Sequence, residues 1–96
     1  MTPYSLPDVT PGGSKAQITS NANLRAVAVI FSAPAGNAAG IRVGDANVSA
    51  TQGAIVNPGG PAVVFPRGAF DQQGYQLNQF YAYGTGGDVL TISYAQ

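Results

Sequence analysis

The amino-acid sequence predicts an all-β domain, built from antiparallel strands as a β-sandwich or jelly roll. Short runs of alternating apolar and polar residues follow one another from Lys15 onward, and clusters of Gly, Pro, Asn and Asp separate them. The sequence nowhere sustains the apolar periodicity of a helix. Its 96 residues are enough for one such domain and too few for two.

The alternating runs predict eight strands. The segment 25–31 is apolar on both faces, which is typical of a central strand covered on both sides. The last run is apolar on the face of Leu90, Ile92 and Tyr94 and mixed on the other face, as in the wall of a sandwich. The predicted strands cover residues 16–19, 24–32, 40–43, 47–50, 54–56, 62–65, 79–84 and 89–94.

The first fourteen residues differ in character from the rest of the chain. Pro3, Pro7 and Pro11 fix the backbone angle φ and remove N–H donors, which favours an extended conformation. We therefore predict an extended N-terminal arm over residues 1–14, followed by a single β-sandwich domain over residues 15–96.

Three hydrophobic side chains are spaced along this arm. Each can bury apolar area worth roughly 1.5–3 kcal/mol on a neighbouring surface. A disordered tail is the competing interpretation, because chain termini are often unstructured. We predict that Tyr4, Leu6 and Val9 contact a binding partner.

The chain carries unusually few charges. Charged residues make up 8% of the sequence, against about 25% in typical soluble domains, and the formal net charge is zero. The four basic residues are scattered, so neither nucleic acid nor an anionic membrane is an expected partner. A surface with so few charges indicates coverage by copies of the same chain or by another protein, and we expect a homo-oligomer.

The sequence lacks the side chains that most enzymes use. Histidine, cysteine and glutamate are absent, which removes the usual general base, the thiol nucleophile and the preferred nitrogen ligand for metals. The acidic residues are Asp8, Asp45, Asp71 and Asp88, each beside turn-forming residues, where an aspartate usually caps a turn. A calcium site at Asp45 or Asp88 is the alternative, although no dense acidic loop is present. We predict a non-enzymatic protein with no catalytic residues, no bound metal and no cofactor.

The tyrosines near the end of the chain are candidates for partner binding. Tyr81 and Tyr83 alternate with Phe80 and Ala82, which predicts core packing on one face and cross-strand or subunit contacts on the other. The alternative is a stacking surface for carbohydrate, in which Tyr75 joins Tyr81 and Tyr83.

The sequence shows no feature of membrane insertion or secretion. No apolar run approaches the roughly 20 residues that span a bilayer, and the first residues do not have the pattern of a signal peptide. We therefore expect synthesis and folding in a cytoplasm.

Three motifs, taken in order, resemble small bacteriophage virion structural proteins. Residues 43–53, Val-Gly-Asp-Ala-Asn-Val-Ser-Ala-Thr-Gln-Gly, are similar to a Gly-Asp turn that leads into an Asn-Val-Ser segment in those proteins. Pro58-Gly59 corresponds to a Pro-Gly turn before a strand, and residues 81–88 correspond to a closing Tyr-x-Tyr-Gly-Thr-x-Gly-Asp hairpin. The proline-rich start and the segment 66–78 depart from this pattern.

The resemblance implies a β-sandwich that binds an assembled shell without catalysis, often as a trimer. The implied function is that of a head decoration or cement protein on the capsid surface, made in the host cytoplasm. Its partner would be the major capsid protein or another virion protein. A tail, neck or baseplate component is one alternative, and a small carbohydrate-binding β-sandwich module is another.

Overall fold

The computed structural model describes residues 2–66 and 74–96, and most of their regular structure is β-strand. A single turn of 3-10 helix at Leu77–Gln79 accompanies the strands in these residues. The prediction of an all-β chain is therefore confirmed. The strands are β1 (Pro3–Val9), β2 (Lys15–Gln17), β3 (Arg25–Ala26), β4 (Ala28–Ser32), β5 (Ile41–Gly44), β6 (Ala54–Val56), β7 (Val63–Phe65), β8 (Tyr75–Gln76), β9 (Tyr81–Tyr83) and β10 (Leu90–Ala95).

These strands form two large antiparallel sheets and one small one. Sheet A has the order β1-β10-β4-β7, and sheet B has the order β2-β9-β5-β6. Sheet C is the pair β3-β8.

The strand pairing is nested. The first strand pairs with the last, the second with the next to last, and so on inward until β5 pairs with β6. Two further pairings, β10 with β4 and β9 with β5, join the nested pairs into sheets A and B. The chain thus runs as one long hairpin that is folded over, with its tip between β5 and β6.

One buried cluster joins side chains from both large sheets. Val29, Phe31 and Leu90 of sheet A are fully buried, and so are Ile41 and Val43 of sheet B. Each comes from a strand in which buried and more exposed positions alternate. Burying a side chain of this size contributes roughly 1.5–3 kcal/mol, so packing between the sheets supplies much of the stability.

The N-terminal segment belongs to sheet A. Residues Pro3–Val9 form the edge strand β1, in which Tyr4 lies opposite Tyr94 and Leu6 lies opposite Ile92. The segment is extended, as the sequence predicts, but it adds a strand to its own sheet. The boundary predicted at residue 14 therefore does not separate an arm from the domain.

The edge position explains how this strand accommodates Pro3. Thr2 and Gln96 exchange both backbone hydrogen bonds, at 2.6 and 2.9 Å. Because bonded and non-bonded pairs alternate in an antiparallel ladder, the next pair, Pro3 with Ala95, is one whose N–H groups point away from each other. Pro3 therefore removes no hydrogen bond from the sheet.

Two predicted strands differ from the structure. The segment 47–50 is not a strand, because polar side chains hold its backbone in turns: Asp45 accepts from the Asn47 N–H at 3.0 Å, and Ser49 accepts from the Thr51 N–H at 3.2 Å. The predicted strand 24–32 is interrupted at Val27, where the chain passes from sheet C to sheet A.

Candidate functional site

The outer face of sheet A, which lies opposite the core, carries no charge in its central rows. Ser5, Ser93, Ile30 and Val64 lie side by side across the four strands. Ile30 is 39% exposed and Val64 is 51% exposed, which is high for large apolar side chains. The row is therefore uncharged, with its two apolar side chains on β4 and the edge strand β7, and depletion of charge is typical of the core of a protein interface.

A second row on this face carries hydroxyl groups. Ser32 lies opposite Thr91, and their side-chain oxygens are 2.6 Å apart. Thr91 also donates to the Ser32 carbonyl oxygen at 3.0 Å. These two hydroxyl groups are hydrogen-bonded within the sheet. A partner that covers them therefore leaves no unpaired polar group in this row and pays little desolvation free energy.

The outer face of sheet B differs in chemistry, because it carries two cations. Lys15, Tyr83, Arg42 and Ile55 lie in one row across β2, β9, β5 and β6. Tyr83 thus lies between Lys15 and Arg42 in the register of the sheet, and Ile55 at the end of the row is 46% exposed.

Both cations donate hydrogen bonds to backbone carbonyls. Arg42 Nη1 donates to the Gly53 carbonyl oxygen at 2.9 Å, and Lys15 Nζ donates to the Ala46 carbonyl oxygen at 2.5 Å. The Lys15 ammonium also lies 5.9 Å from the centre of the Tyr81 ring, within the range of a cation–π contact. Neither contact neutralises the positive charge of its cation, because a backbone carbonyl and an aromatic ring carry no negative charge.

Each outer-face tyrosine of β9 borders a depression. The one beside Tyr83 has a volume of about 320 Å³, and Arg42, Asn57 and Thr85 are among its lining residues. The one beside Tyr81 has a volume of about 450 Å³ and is lined by amide side chains and Asp45. Both volumes are in the range of small-ligand sites.

The side chains of β1 that are predicted to bind a partner make contacts within their own domain. Tyr4 stacks on Tyr94 with ring centres 5.3 Å apart and remains 43% exposed. Leu6 and Val9 are partly buried against the core. Of these three residues, Tyr4 keeps the most surface for a further contact.

The predicted partner-binding residues do not form one surface. Tyr4, Leu6 and Val9 belong to an edge of sheet A, whereas Tyr81 and Tyr83 lie in the middle of sheet B. The alternation predicted for β9 is present, because Ala82 is fully buried while both tyrosines are half-buried.

Tyr75 does not join the other tyrosines in a stacking surface. Its ring packs against Phe65 and Phe80, with centres 6.2 and 5.6 Å away, and its hydroxyl donates to the Pro66 carbonyl oxygen at 2.6 Å. The three-tyrosine platform is therefore reduced to Tyr81 and Tyr83.

The aspartates for which the structure gives contacts hold loops. Asp88 is buried, and its two oxygens accept from the N–H groups of Ala38 and Ala39 at 2.8 and 3.1 Å. Asp45 caps the turn described above, Asp8 is exposed on β1, and Asp71 lies outside the described residues. Within residues 2–66 and 74–96, no three acidic side chains form a group that could hold a metal ion.

Four residues that define the two outer faces do not stand out in the sequence. Ile30 lies in the segment that is predicted to be covered on both sides, Val64 lies in a predicted strand with no assigned outer face, and Lys15 and Arg42 are among the scattered basic residues. A period-two pattern shows that Ile30 and Arg42 alternate with buried residues, but the grouping of all four depends on strand register.

Comparison of this chain with protein-family models, curated proteins and solved structures found no match. In the described part of the chain, no helix has the length and apolar character needed to cross a membrane.

Proposed function

We propose that this chain is a non-enzymatic bacteriophage structural protein that binds the assembled capsid as a head decoration or cement protein. The observation that carries the proposal is the uncharged row across the outer face of sheet A, in which Ile30 on the inner strand β4 and Val64 on the edge strand β7 are exposed side by side. An enzyme needs a reactive group, whereas a cement protein needs a surface that packs against a shell.

The fold we propose for this role is a jelly roll. The nested pairing supports it, since a jelly roll is a long hairpin rolled so that its paired strands divide between two facing sheets. Jelly rolls occur in viral capsid domains and in lectins, so the fold agrees with the virion role and with the carbohydrate-binding alternative. Fold alone does not decide function.

The outer face of sheet A supplies the capsid contact in this proposal. A stable interface buries about 800 Å² on each partner, with an apolar centre surrounded by polar groups. Ile30 and Val64 would form that centre, and the hydroxyl row of Ser32 and Thr91 would lie beside it. The major capsid protein or another virion protein is the partner, at the capsid surface.

We propose a homotrimer, on the resemblance described above. Tyr4 on the edge strand is exposed enough to contact a neighbouring copy. A tail, neck or baseplate component would use the same kind of surface, so only the position in the particle separates these roles.

The test is particle association of the wild type and of two variants. Phage particles from the genome that encodes this chain are banded in a density gradient, and the protein is measured in the head and tail fractions. The wild type should band with heads, whereas Ile30→Lys combined with Val64→Lys should remain folded and unbound. The control is Ile55→Lys, which places a single lysine on the outer face of sheet B and should leave binding intact; each single variant of the sheet A face carries the same added charge for comparison.

Absence of the wild type from purified particles would contradict a virion role, and presence in tails alone would favour the alternative position. Equal binding of the double variant would show that another surface makes the contact. Sedimentation equilibrium of the isolated protein tests the trimer.

A further inference from the structure

We propose that the outer face of sheet B binds a sugar that bears a carboxylate, such as a uronic acid unit of a polysaccharide. Arg42 holds the carboxylate, and Tyr83 with its neighbours holds the sugar ring. This site is separate from the capsid-binding face, so it does not depend on the proposed function.

The register of sheet B brings the two kinds of group together. Arg42 and Tyr83 are directly opposite on β5 and β9, which puts their Cβ atoms about 4.5–5.5 Å apart on one face of the sheet. Lys15 lies opposite Tyr83 on its other side. The Lys15 ammonium itself is directed toward Tyr81 and the Ala46 carbonyl oxygen, so Arg42 is the cation that lines the depression beside Tyr83.

Arg42 has the donors that a carboxylate needs. Its guanidinium has five N–H donors in a planar fork, and the bond to the Gly53 carbonyl oxygen engages Nη1 only. That bond also holds the side chain against its own sheet, which limits the entropy lost on binding. Charge complementarity selects an anion, and the fork geometry favours a planar carboxylate.

The depression beside Tyr83 has the size and lining of a sugar site. Its volume is about 320 Å³, and Asn57, Thr85 and the Tyr83 side chain can exchange hydrogen bonds with hydroxyl groups. Ile55 provides an apolar wall. An aromatic ring with convergent amide and hydroxyl groups suits a ligand that is polar at its edge and less polar on its faces.

Gly40 keeps this depression open. A Cβ atom at this position would lie 3.0 Å from Ile55 Cγ2 and 3.4 Å from Asn57 Oδ1. A methyl group there would crowd the side chains that line the site. Gly40→Ala therefore tests the shape of the site independently of its charge.

The composition of the face favours an acidic sugar over a simple anion. A phosphate or nucleic-acid site usually gathers several cations, whereas this row interleaves two cations with an aromatic ring and an isoleucine. A ligand that used charge alone would gain nothing from Tyr83, Asn57 and Thr85. Hydroxyl groups of a sugar would use them, because each of these side chains can form a hydrogen bond.

The experiment is a nuclear magnetic resonance titration of the full-length, isotope-labelled chain with glucuronate, glucose and sulfate at matched ionic strength. Glucuronate and glucose differ in the carboxylate, and sulfate supplies charge without a ring. Glucuronate should shift the amide signals of Arg42, Tyr83, Asn57 and Thr85, and the other two probes should not. The shifts should weaken when ionic strength rises from about 0.01 M to about 0.15 M.

Three variants locate the site. Arg42→Gln should weaken glucuronate binding at least about tenfold, the effect of losing hydrogen bonds to a charged group. Gly40→Ala should weaken it in a protein that keeps its charge. The control is Arg25→Gln, which removes an exposed cation from β3 of sheet C and should leave binding unchanged.

Several results would overturn the proposal. Equal shifts with glucose would remove the role of the carboxylate, and equal shifts with sulfate would leave a simple anion contact. Unchanged binding by Arg42→Gln, or no shift with any probe, would show that the outer face of sheet B does not bind acidic sugars. None of these results bears on capsid binding, which is measured on particles.

Discussion

The side chain of Asn37 pairs with the backbone of Val89 in both directions. Its Nδ2 donates to the Val89 carbonyl oxygen at 2.7 Å, and its Oδ1 accepts from the Val89 N–H at 3.0 Å. The adjacent Asp88 carboxylate accepts from Ala38 and Ala39 in return. The loop after β4 and the loop before β10 are thus joined by four hydrogen bonds.

This reciprocal pairing predicts that Asn37 contributes more to the stability of the domain than an exposed asparagine does. Asn37→Ala leaves the Val89 N–H and carbonyl without their partners, and we expect it to lower the free energy of unfolding by about 1–3 kcal/mol. Urea denaturation measures this change. Asn47→Ala, at an exposed turn position, is the control and should change stability by less than about 0.5 kcal/mol. Equal effects of the two substitutions would show that the Asn37 bonds contribute little.

Two neighbouring residues on β4 should differ in how much stability the protein loses when each is replaced by aspartate. Val29 is fully buried, so Val29→Asp places a carboxylate in the core at a cost of several kcal/mol, against a typical stability of about 5–15 kcal/mol. Ile30 points outward, and Ile30→Asp should leave the protein folded. Circular dichroism during heating compares the two. A large loss of stability in Ile30→Asp would mean that this face is covered within the domain.

Gly53 is expected to tolerate no side chain. Its φ is +115°, and a Cβ atom there would lie 2.7 Å from Val48 Cγ2 and 2.9 Å from the Val43 carbonyl oxygen. Gly53→Ala should therefore lower the free energy of unfolding by more than about 2 kcal/mol, from backbone strain and crowding together.

Gly86→Ala is the matched control for Gly53. Its φ is +60°, and a Cβ atom there would meet nothing within 4 Å. Only the left-handed backbone penalty of about 1–2 kcal/mol applies. Chemical denaturation compares the two variants. If Gly53→Ala lowered the free energy of unfolding less than Gly86→Ala, the close contacts described for Gly53 would be wrong.

Removal of β1 should destabilise the whole domain. Deleting residues 2–9 uncovers one edge of β10 and removes the Tyr4 ring from Tyr94 and the Leu6 side chain from the core. We expect a lower melting temperature and aggregation through the new edge. Tyr4→Ala, which removes only the stacked ring, should have a much smaller effect. A truncated protein with wild-type stability would show that β1 is dispensable.

The fold class could be predicted from the sequence because the alternation of apolar and polar residues follows directly from the burial of one face of each strand. Strand β6 was predicted with the bounds 54–56 that the structure has, and turn residues bracket it on both sides. Strand β1 was missed as a strand of the domain because prolines usually argue against sheets. Only the pairing of Pro3 with Ala95 shows that its missing N–H faces away from the neighbouring strand.

The candidate surfaces were less predictable than the fold. The outward direction of Tyr81 and Tyr83 follows from alternation with the buried Ala82, and the sequence predicted it. The neighbours of Tyr83 do not follow, because Lys15 and Arg42 are distant in sequence and meet it only through the register of sheet B. Register depends on the whole sheet, and a local pattern contains too little information to set it.

The nested pairing also has a kinetic consequence. Closing a chain loop becomes entropically more expensive as the loop lengthens, so the pairing of β5 with β6 at the hairpin tip is the least costly to form first. Each later pair then closes only a short extension of what is already joined. The domain should therefore assemble like a zipper from its middle, with β1 and β10 joining last. In native-state hydrogen exchange, β1 amides should open before those of β5.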